Sequence, residues 1–520
     1  LYKRMKSPPT SNKNQNNSIF HATFLDGFRG VAALCVVYAH TQIYNQRLAF
    51  RTFDIFGYYG VITFFVLSAF LLTFRTLLDW ERYHEKREEK KDTNSVVVNR
   101  IDHLESGVDL ETNLSIIPLL SSTDSDNTIG ISSIEEIEEK KPDNAFYSYI
   151  RKKILPKCQI PVKFWSKFFL RRFMRVYPPY AILLLFIAYN GFLRNAYNNF
   201  MDSSTLTSHL FFITDNNSIF WTIPIELMYY LCIPIIVIGY VELACFGAFL
   251  TNYYFKKPAI GTWICRILVN VIIVTKRTEL LIAHSEDRKE FYKSSFLEIV
   301  HIFLVGSICA IWYREIIRLG LLPLSLEEEN SLADKSNDYN ISTLIRSRFV
   351  KLIISKLPSR HQFARYFFDF GCYFLLLLKF CTLPHISEKV FGLSRTSEMV
   401  LERKLGGSLD AILIFFALLS RNGSFVNAFS CDFLRFCGKI SFSIYLLHPI
   451  AMTFVNEYVT SIGYKAADKE SNEDEKANVI LDAVMLSFVT TFILAWFYFK
   501  CIERPSMNLA NYIAKRWLSE

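Results

Sequence analysis

In the apolar run that begins at Phe24, Arg29 and His40 stand eleven residues apart. At 3.6 residues per turn that is about three full turns, so a helix would carry both on one face, about 16 Å apart along its axis. A permanently charged guanidinium can gather an anion, and an imidazole can move a proton near neutrality. Asp26 precedes Arg29 by three residues, within pairing reach on a helix, and Gly27, Gly30 and Ala33 would admit a second helix at close range. The plainer reading makes Arg29 an interface anchor paired with Asp26, and His40 a polar packing residue near the outer end. Three more places carry chemistry. Arg171, Arg172 and Arg175 cluster at the start of another apolar run, where their planar donor forks suit phosphate, or where they simply anchor the chain on the positive-inside side. Glu226, five residues after Trp221, is a carboxyl group about two turns inside a span, and there it needs a proton or a partner. His448 is followed at once by Pro449 and sits near the middle of its run, where it could act chemically or cap the break that the proline makes.

These residues must be held by membrane helices. The chain has 520 residues, 51% of them hydrophobic, with 47 Phe against 19 Gly and 16 Pro, and a formal charge of +9, which excludes a disordered or fibrous chain. Its apolar residues fall in runs of roughly 18 to 25, the length that crosses a bilayer. Breakers between the runs predict ten spans near 24–44, 57–78, 176–194, 219–250, 259–275, 296–313, 366–384, 408–420, 439–459 and 480–500. The fourth contains Pro224, Pro234 and Gly239 and is too long for one straight crossing, so it reads as kinked, re-entrant or split. Lys and Arg flanking the spans gather on one side, at Lys3–Lys13, Arg151–Arg175, Arg346–Arg365 and Lys500–Arg516. This predicts an all-α polytopic protein with both termini cytosolic. His40, Glu226 and His448 then lie between the midplane and the outer side while Arg29 and the arginine cluster lie toward the cytosol, which is the layout of a tunnel with two ends.

Around the spans, residues 1–21 read as a polar tail, and the opening at Leu1 rather than Met leaves room for an upstream segment. Residues 22–78 hold the first two spans, and 79–163, with its alternating charges and Ser/Thr/Asp/Glu runs, reads as a disordered cytosolic insert. A second polar loop covers 325–340, and 506–520 form a cytosolic tail. The cysteines sit singly in apolar runs, as at Cys35, Cys245, Cys309 and Cys372, and read as buried small hydrophobes, not as a disulfide or metal framework.

Five motifs in order resemble those of the acyltransferase 3 family of membrane O-acyltransferases. They are Leu25-Asp26-Gly27-x-Arg29-Gly30 with His40, then Gly60-Val61-x-x-Phe64-Phe65-Val66-Leu67-Ser68, then Leu170-Arg171-Arg172-x-x-Arg175-x-Tyr177-Pro178, then Trp221 with Glu226, and last Ser441-x-Ser443-x-Tyr445-Leu446-Leu447-His448-Pro449. The resemblance implies a ten-helix multi-pass membrane enzyme, its remaining spans within 164–505. Such an enzyme moves an acyl group, often acetyl, from cytosolic acyl-CoA to a hydroxyl of a carbohydrate, lipid or small molecule. It also implies that Arg29 and His40 are the critical pair and that Arg172 and Arg175 lie near the donor. Ala69 in place of the usual Gly, and Thr222 and Pro224 in place of the commoner Ser-Leu, depart from the pattern. On this reading Arg171, Arg172 and Arg175 collect the phosphates of acyl-CoA (acetyl-CoA as the expected form), Arg29 lines the tunnel, and His40 removes the acceptor's proton. Glu226 or His448 orients His40 or the acceptor. Membrane lipids, acyl-CoA and a hydroxylated acceptor are the expected partners, with neither a metal nor a nucleic acid. The rival from another class is a transporter that uses the buried Arg, His and Glu as a relay.

Overall fold

The structure is a computed structural model and describes residues 23–41, 53–107, 161–196, 203–212, 220–255, 258–285, 296–318, 362–381, 407–420, 423–461 and 473–517. The polar N-terminal tail, residues 108–160 of the insert and the loop at 325–340 lie outside them. Among the described residues the protein is all-α, and a helix stands over each of the ten apolar runs. In chain order these are α1 (Thr23–His40), α2 (Phe53–Gly107), α3 (Val162–Tyr189), the short α4 (Gly191–Ala196) and α5 (Ser203–Leu210), then α6 (Thr222–Phe255), α7 (Pro258–Ser285), α8 (Phe296–Arg318), α9 (Gln362–Cys381) and α10 (Ser408–Ser420). The short α11 (Ser424–Phe429) and α12 (Asp432–Lys439) lead into α13 (Ser441–Ser461), and α14 (Glu473–Tyr498) passes through a π turn at Phe499–Glu503 into α15 (Arg504–Trp517).

Among the described residues five stretches are long and apolar enough to cross a membrane: Phe56–His84, Thr222–Phe255, Ala259–Ala283, Phe296–Arg318 and Leu481–Trp517. The pair Asp432–Lys439 and Ser441–Val459, bent by 78°, makes a sixth if counted as one broken span. Helices α1, α3 and α9 are not among them; they carry Asp26 and Arg29, the arginine cluster, and Asp369 and Lys379. An integral membrane setting also accounts for the exposed apolar surface, which includes Ile235 at 74%, Phe370 at 71% and Leu377 at 60%. In water such patches would drive aggregation; in lipid they cost nothing.

Two differences from the sequence reading are local. The run around Pro224 and Pro234 is a single 34-residue helix, neither split nor re-entrant. Pro224 falls in its first turn, where no helical N–H is needed, and only Pro234 lies in its interior. The segment expected to be disordered from residue 79 is helical up to Gly107. The chain divides into two compact units, Leu1–Arg75 with Lys163–Glu520, and Thr76–Val162. In the smaller unit Arg82 pairs with Asp79 at 3.8 Å and Trp80 stacks on Tyr83, both within consecutive turns of one helix.

In the larger unit the core gathers around α1, which packs on α12 and α13. Lipid tails are as apolar as leucine, so what holds membrane helices together is close packing and polar contact. Both are present. A Cβ at Gly27 would collide with the backbone carbonyl of Phe429, and one at Gly438 with that of Asp26, so α1 and the segment before α13 touch backbone to backbone. Ala33, Val37, Cys437, Ile440, Ile444, Met452, Ala495 and Phe499 continue the contact as one buried cluster. On the other side of α1, Lys379 of α9 pairs with Asp410 of α10 at 2.5 Å, and Thr63 of α2 donates to the same carboxylate at 2.9 Å. Of the cysteines, Cys309, Cys372 and Cys437 are buried, but Cys245 is exposed on α6, where a thiol is apolar enough to face lipid.

Candidate active site

Two histidines that the sequence separates by more than four hundred residues meet in the fold. The rings of His40, at the end of α1, and His448, in α13, lie 4.8 Å apart in a T-shaped contact. His448 is fully buried. Its Nδ1 lies 2.8 Å from the carbonyl oxygen of Tyr445, and His40 Nδ1 lies 2.8 Å from that of Val36. A carbonyl oxygen can only accept, so each neutral ring carries its proton on Nδ1 and keeps its lone pair on Nε2. For His448 the cause is in the sequence. Pro449 has no N–H, so the helical bond that would reach the Tyr445 carbonyl is missing, and the imidazole supplies it. The capping role read from His448-Pro449 is thus present, and it leaves Nε2 buried without a hydrogen-bond partner.

From the histidine pair a polar path leads inward. The Tyr445 ring lies 5.9 Å from that of His448, and its hydroxyl accepts from Thr222 of α6 at 2.8 Å. One turn further along α6, Glu226 Oε1 accepts from Tyr230 at 2.6 Å and from Ser68 of α2 at 2.9 Å. The carboxyl group expected to need a partner therefore has two hydroxyl donors, and it lies within electrostatic reach of Arg29 and Arg172. Arg29, half-buried on α1, also feels Asp26, Glu503 and Arg175. Arg172 and Arg175 are half-buried on α3, and Arg171 stands exposed beside them. His40 and His448 thus meet directly, Glu226 lies one turn along α6 from the Thr222 that bonds Tyr445, Arg29 and Arg172 are near enough to feel the charge of Glu226, with Arg175 beside them, and Arg171 stands exposed at the edge.

Such a tract can hold an anionic group against the arginines and take a proton at Nε2 of either histidine. The sequence reading does not single out the hydroxyls of Tyr230, Tyr445 and Thr222, although the last two stand inside quoted motifs. It passes over Glu503 altogether. Among the described residues no group of three or more His, Cys, Asp or Glu is placed to hold a metal ion.

The sequence model of the acyltransferase 3 family, an acyltransferase domain, matches residues 23–104 and 160–500. The chain belongs to the acyltransferase 3 family. It is an acyltransferase, and the relay of a pure transporter gives way to that activity. Neither a curated protein nor a solved structure matches. The family match runs through both ends of the tract, from Arg29 and His40 to His448, and ends three residues short of Glu503. Between residues 104 and 160 the acyltransferase carries sequence that the family model does not cover.

Proposed function

We propose that this acyltransferase moves an acyl group, acetyl in the first instance, from cytosolic acyl-CoA to a hydroxyl of a carbohydrate, lipid or small-molecule acceptor at the membrane. The observation that carries the reading is the contact of His40 with His448, from which Tyr445, Thr222 and Glu226 lead toward Arg29, Arg172 and Arg175. An arginine cluster alone would suit any anion, and a histidine pair alone any proton transfer. Joined, they suit a reaction between a phosphate-bearing thioester and an alcohol.

In this reading ten helices cross the membrane with both termini cytosolic, which puts the arginines toward the cytosol and the histidines toward the outer half. Arg172 and Arg175, with Arg171 at the mouth, gather the CoA phosphates, and Arg29 guides the pantetheine arm along α1. At the far end His40 Nε2 takes the acceptor's proton as its oxygen attacks the thioester carbonyl carbon. The C–O bond forms, the carbonyl electrons move to oxygen, and the tetrahedral adduct collapses by breaking the C–S bond. The CoA thiolate leaves and takes up a proton from the imidazolium. His448 keeps the His40 ring in place through the ring contact, while Tyr445 and Thr222 tie the pair to the helix that bears Glu226.

The test is purified full-length protein in lipid nanodiscs with acetyl-CoA and longer acyl-CoAs, reading thiol release and protein-bound acyl groups by mass spectrometry. Thiol release that depends on His40 is expected. Full activity in His40→Ala would remove that histidine from the mechanism, and an acyl-histidine adduct would replace direct attack by a two-step transfer. Comparing glycans and lipids of cells with and without the protein then identifies the acceptor.

A further inference from the structure

The far side of α1 borders a cavity of about 100 Å³, walled by α1, α2, α9, α10 and the end of α11. Along α1 it runs from Phe28 to Cys35, seven residues or about 10 Å. Arg29 and His40 stand about a third of a turn away around the same helix, so this is not the place where the imidazoles meet. Most of the wall is apolar, with Phe28, Val31 and Ala32 from α1, Leu376 from α9 and Leu413 from α10. One part is not. Thr63, Lys379 and Asp410 also line the cavity, and they form a closed triangle. Lys379 Nζ donates to Asp410 Oδ1 at 2.5 Å and to Thr63 Oγ1 at 3.1 Å, and Thr63 donates to Asp410 Oδ1 at 2.9 Å. The ammonium also lies 5.0 Å from the centre of the Tyr59 ring, another part of the wall. Both bonds to the carboxylate fall on Oδ1. Among the described residues no hydrogen bond reaches Oδ2, although the Asp410 side chain is only 4% exposed.

A buried acceptor without a donor is costly. Water answers it poorly, because a bound water needs two to four polar partners and most of this wall offers none. A purely apolar molecule would fill the space and leave Oδ2 as it is. A slim alkyl chain that ends in a donor satisfies both, and charge selects the donor. Lys379 and Asp410 cancel, so a neutral hydroxyl enters without a like charge beside it. A carboxylate would face Asp410 with no proton to give, and an ammonium would sit beside Lys379. An apolar cavity of about 150 Å³ takes benzene, so one of about 100 Å³ suits a chain of about four carbons.

We propose that this cavity is a binding site for a short, unbranched primary alcohol, its hydroxyl donating to Asp410 Oδ2 and its chain lying along α1 between Phe28 and Cys35. The site needs neither acyl-CoA nor the histidine pair, so it stands or falls apart from the acyl-transfer reading.

Cys35, in the wall, reports occupancy. Full-length protein in nanodiscs is treated with methyl methanethiosulfonate, a small uncharged thiol reagent, and modification of each cysteine is timed by peptide mass spectrometry. Cys245 and Cys431 are exposed elsewhere and register any general effect of an additive on bilayer or reagent. 1-Butanol is compared with methyl propyl ether, an isomer that has no proton to donate, and with butyrate and butylammonium. Butanol is expected to slow modification of Cys35 at least about tenfold over a titration, by mass action, and to leave Cys245 and Cys431 within about twofold. The other three should need at least about tenfold higher concentration for the same protection, because the bond to Oδ2 is missing or opposed. Val31→Phe fills the cavity and should abolish protection by butanol. Butanol that protects no better than its ether isomer would overturn the proposal, and so would equal slowing of Cys35 and Cys245. Should Cys35 resist the reagent, the unfolding temperature decides: butanol must raise it relative to the ether at equal concentration, and identical temperatures would overturn the site. Both comparisons use wild-type protein and hold even if Val31→Phe does not fold. Absence of thiol release from acetyl-CoA would sink the acyl-CoA reading and leave these outcomes untouched.

Discussion

The contact between His40 and His448 predicts that the two rings act as one unit, and asparagine substitution isolates that chemistry from the fold. The amide nitrogen of Asn is bonded to Cγ, as Nδ1 of histidine is. His448→Asn can therefore still donate to the Tyr445 carbonyl and His40→Asn to that of Val36, while each deletes Nε2. Alanine would be a poorer probe at the fully buried His448, since emptying a site of that size costs about 3 kcal/mol or more in stability. Removing a general base slows a reaction about 10²- to 10⁴-fold, so His40→Asn should lose about three decades of turnover. His448, which touches the base, should lose about two. Independent residues would then give a double variant about 10⁵ below wild type; a unit would leave it near 10³. The gap of two decades is about 2.7 kcal/mol of coupling, well above assay error. Steady-state thiol release, with product formation by mass spectrometry for the slowest variants, resolves it. Losses that multiply would refute the argument that the ring contact is chemical.

Arg172→Ala should raise the KM for acetyl-CoA at least about tenfold and change kcat little, because a charge-assisted phosphate contact is lost before the chemistry begins; titration of acetyl-CoA against initial rate reads the split. Lys379→Met strands Asp410 and should cost about 3–5 kcal/mol in detergent unfolding, whereas Lys379→Met with Asp410→Leu should recover most of it. Gly438→Ala drives a Cβ into the backbone carbonyl of Asp26 and should destabilise by about 1–3 kcal/mol while displacing Arg29, visible as a lower melting temperature and slower thiol release.

What the sequence makes legible comes from local rules. Each apolar run is a helix because its backbone groups must be satisfied within the segment, and Gly27 and Gly30 announce a close neighbour because only small residues permit one. The identity of that neighbour, residues 424–439, is illegible: contact across four hundred residues leaves no local trace. Lys379 and Asp410, thirty-one residues apart on two helices, are equally illegible, whereas the family resemblance offers His448 as one of two groups that orient His40 or the acceptor. The charged stretch Glu81–Lys91 reads as disorder on its alternating signs, but Glu, Lys and Arg are strong helix formers, and α2 continues through it. Glu503 escapes for a different reason. It comes after the last apolar run and precedes Arg504 and Pro505, so it reads as ordinary charge at a membrane boundary. Only the added residue of the π turn sends it inward, and no residue type in Phe499–Glu503 signals that turn.

The proline after His448 has a consequence for any attempt to move this site into another scaffold. The buried ring keeps its lone pair on Nε2 because a backbone proton is absent one residue later. Restore that proton, as Pro449→Ala would, and the Tyr445 carbonyl returns to the helix, leaving the imidazole to exchange tautomers freely. A graft that copied both histidines without the proline would reproduce the positions of the atoms and lose the address of the proton. The minimal portable unit is therefore a dipeptide, His448-Pro449, in which the residue without a functional group decides what its neighbour can do.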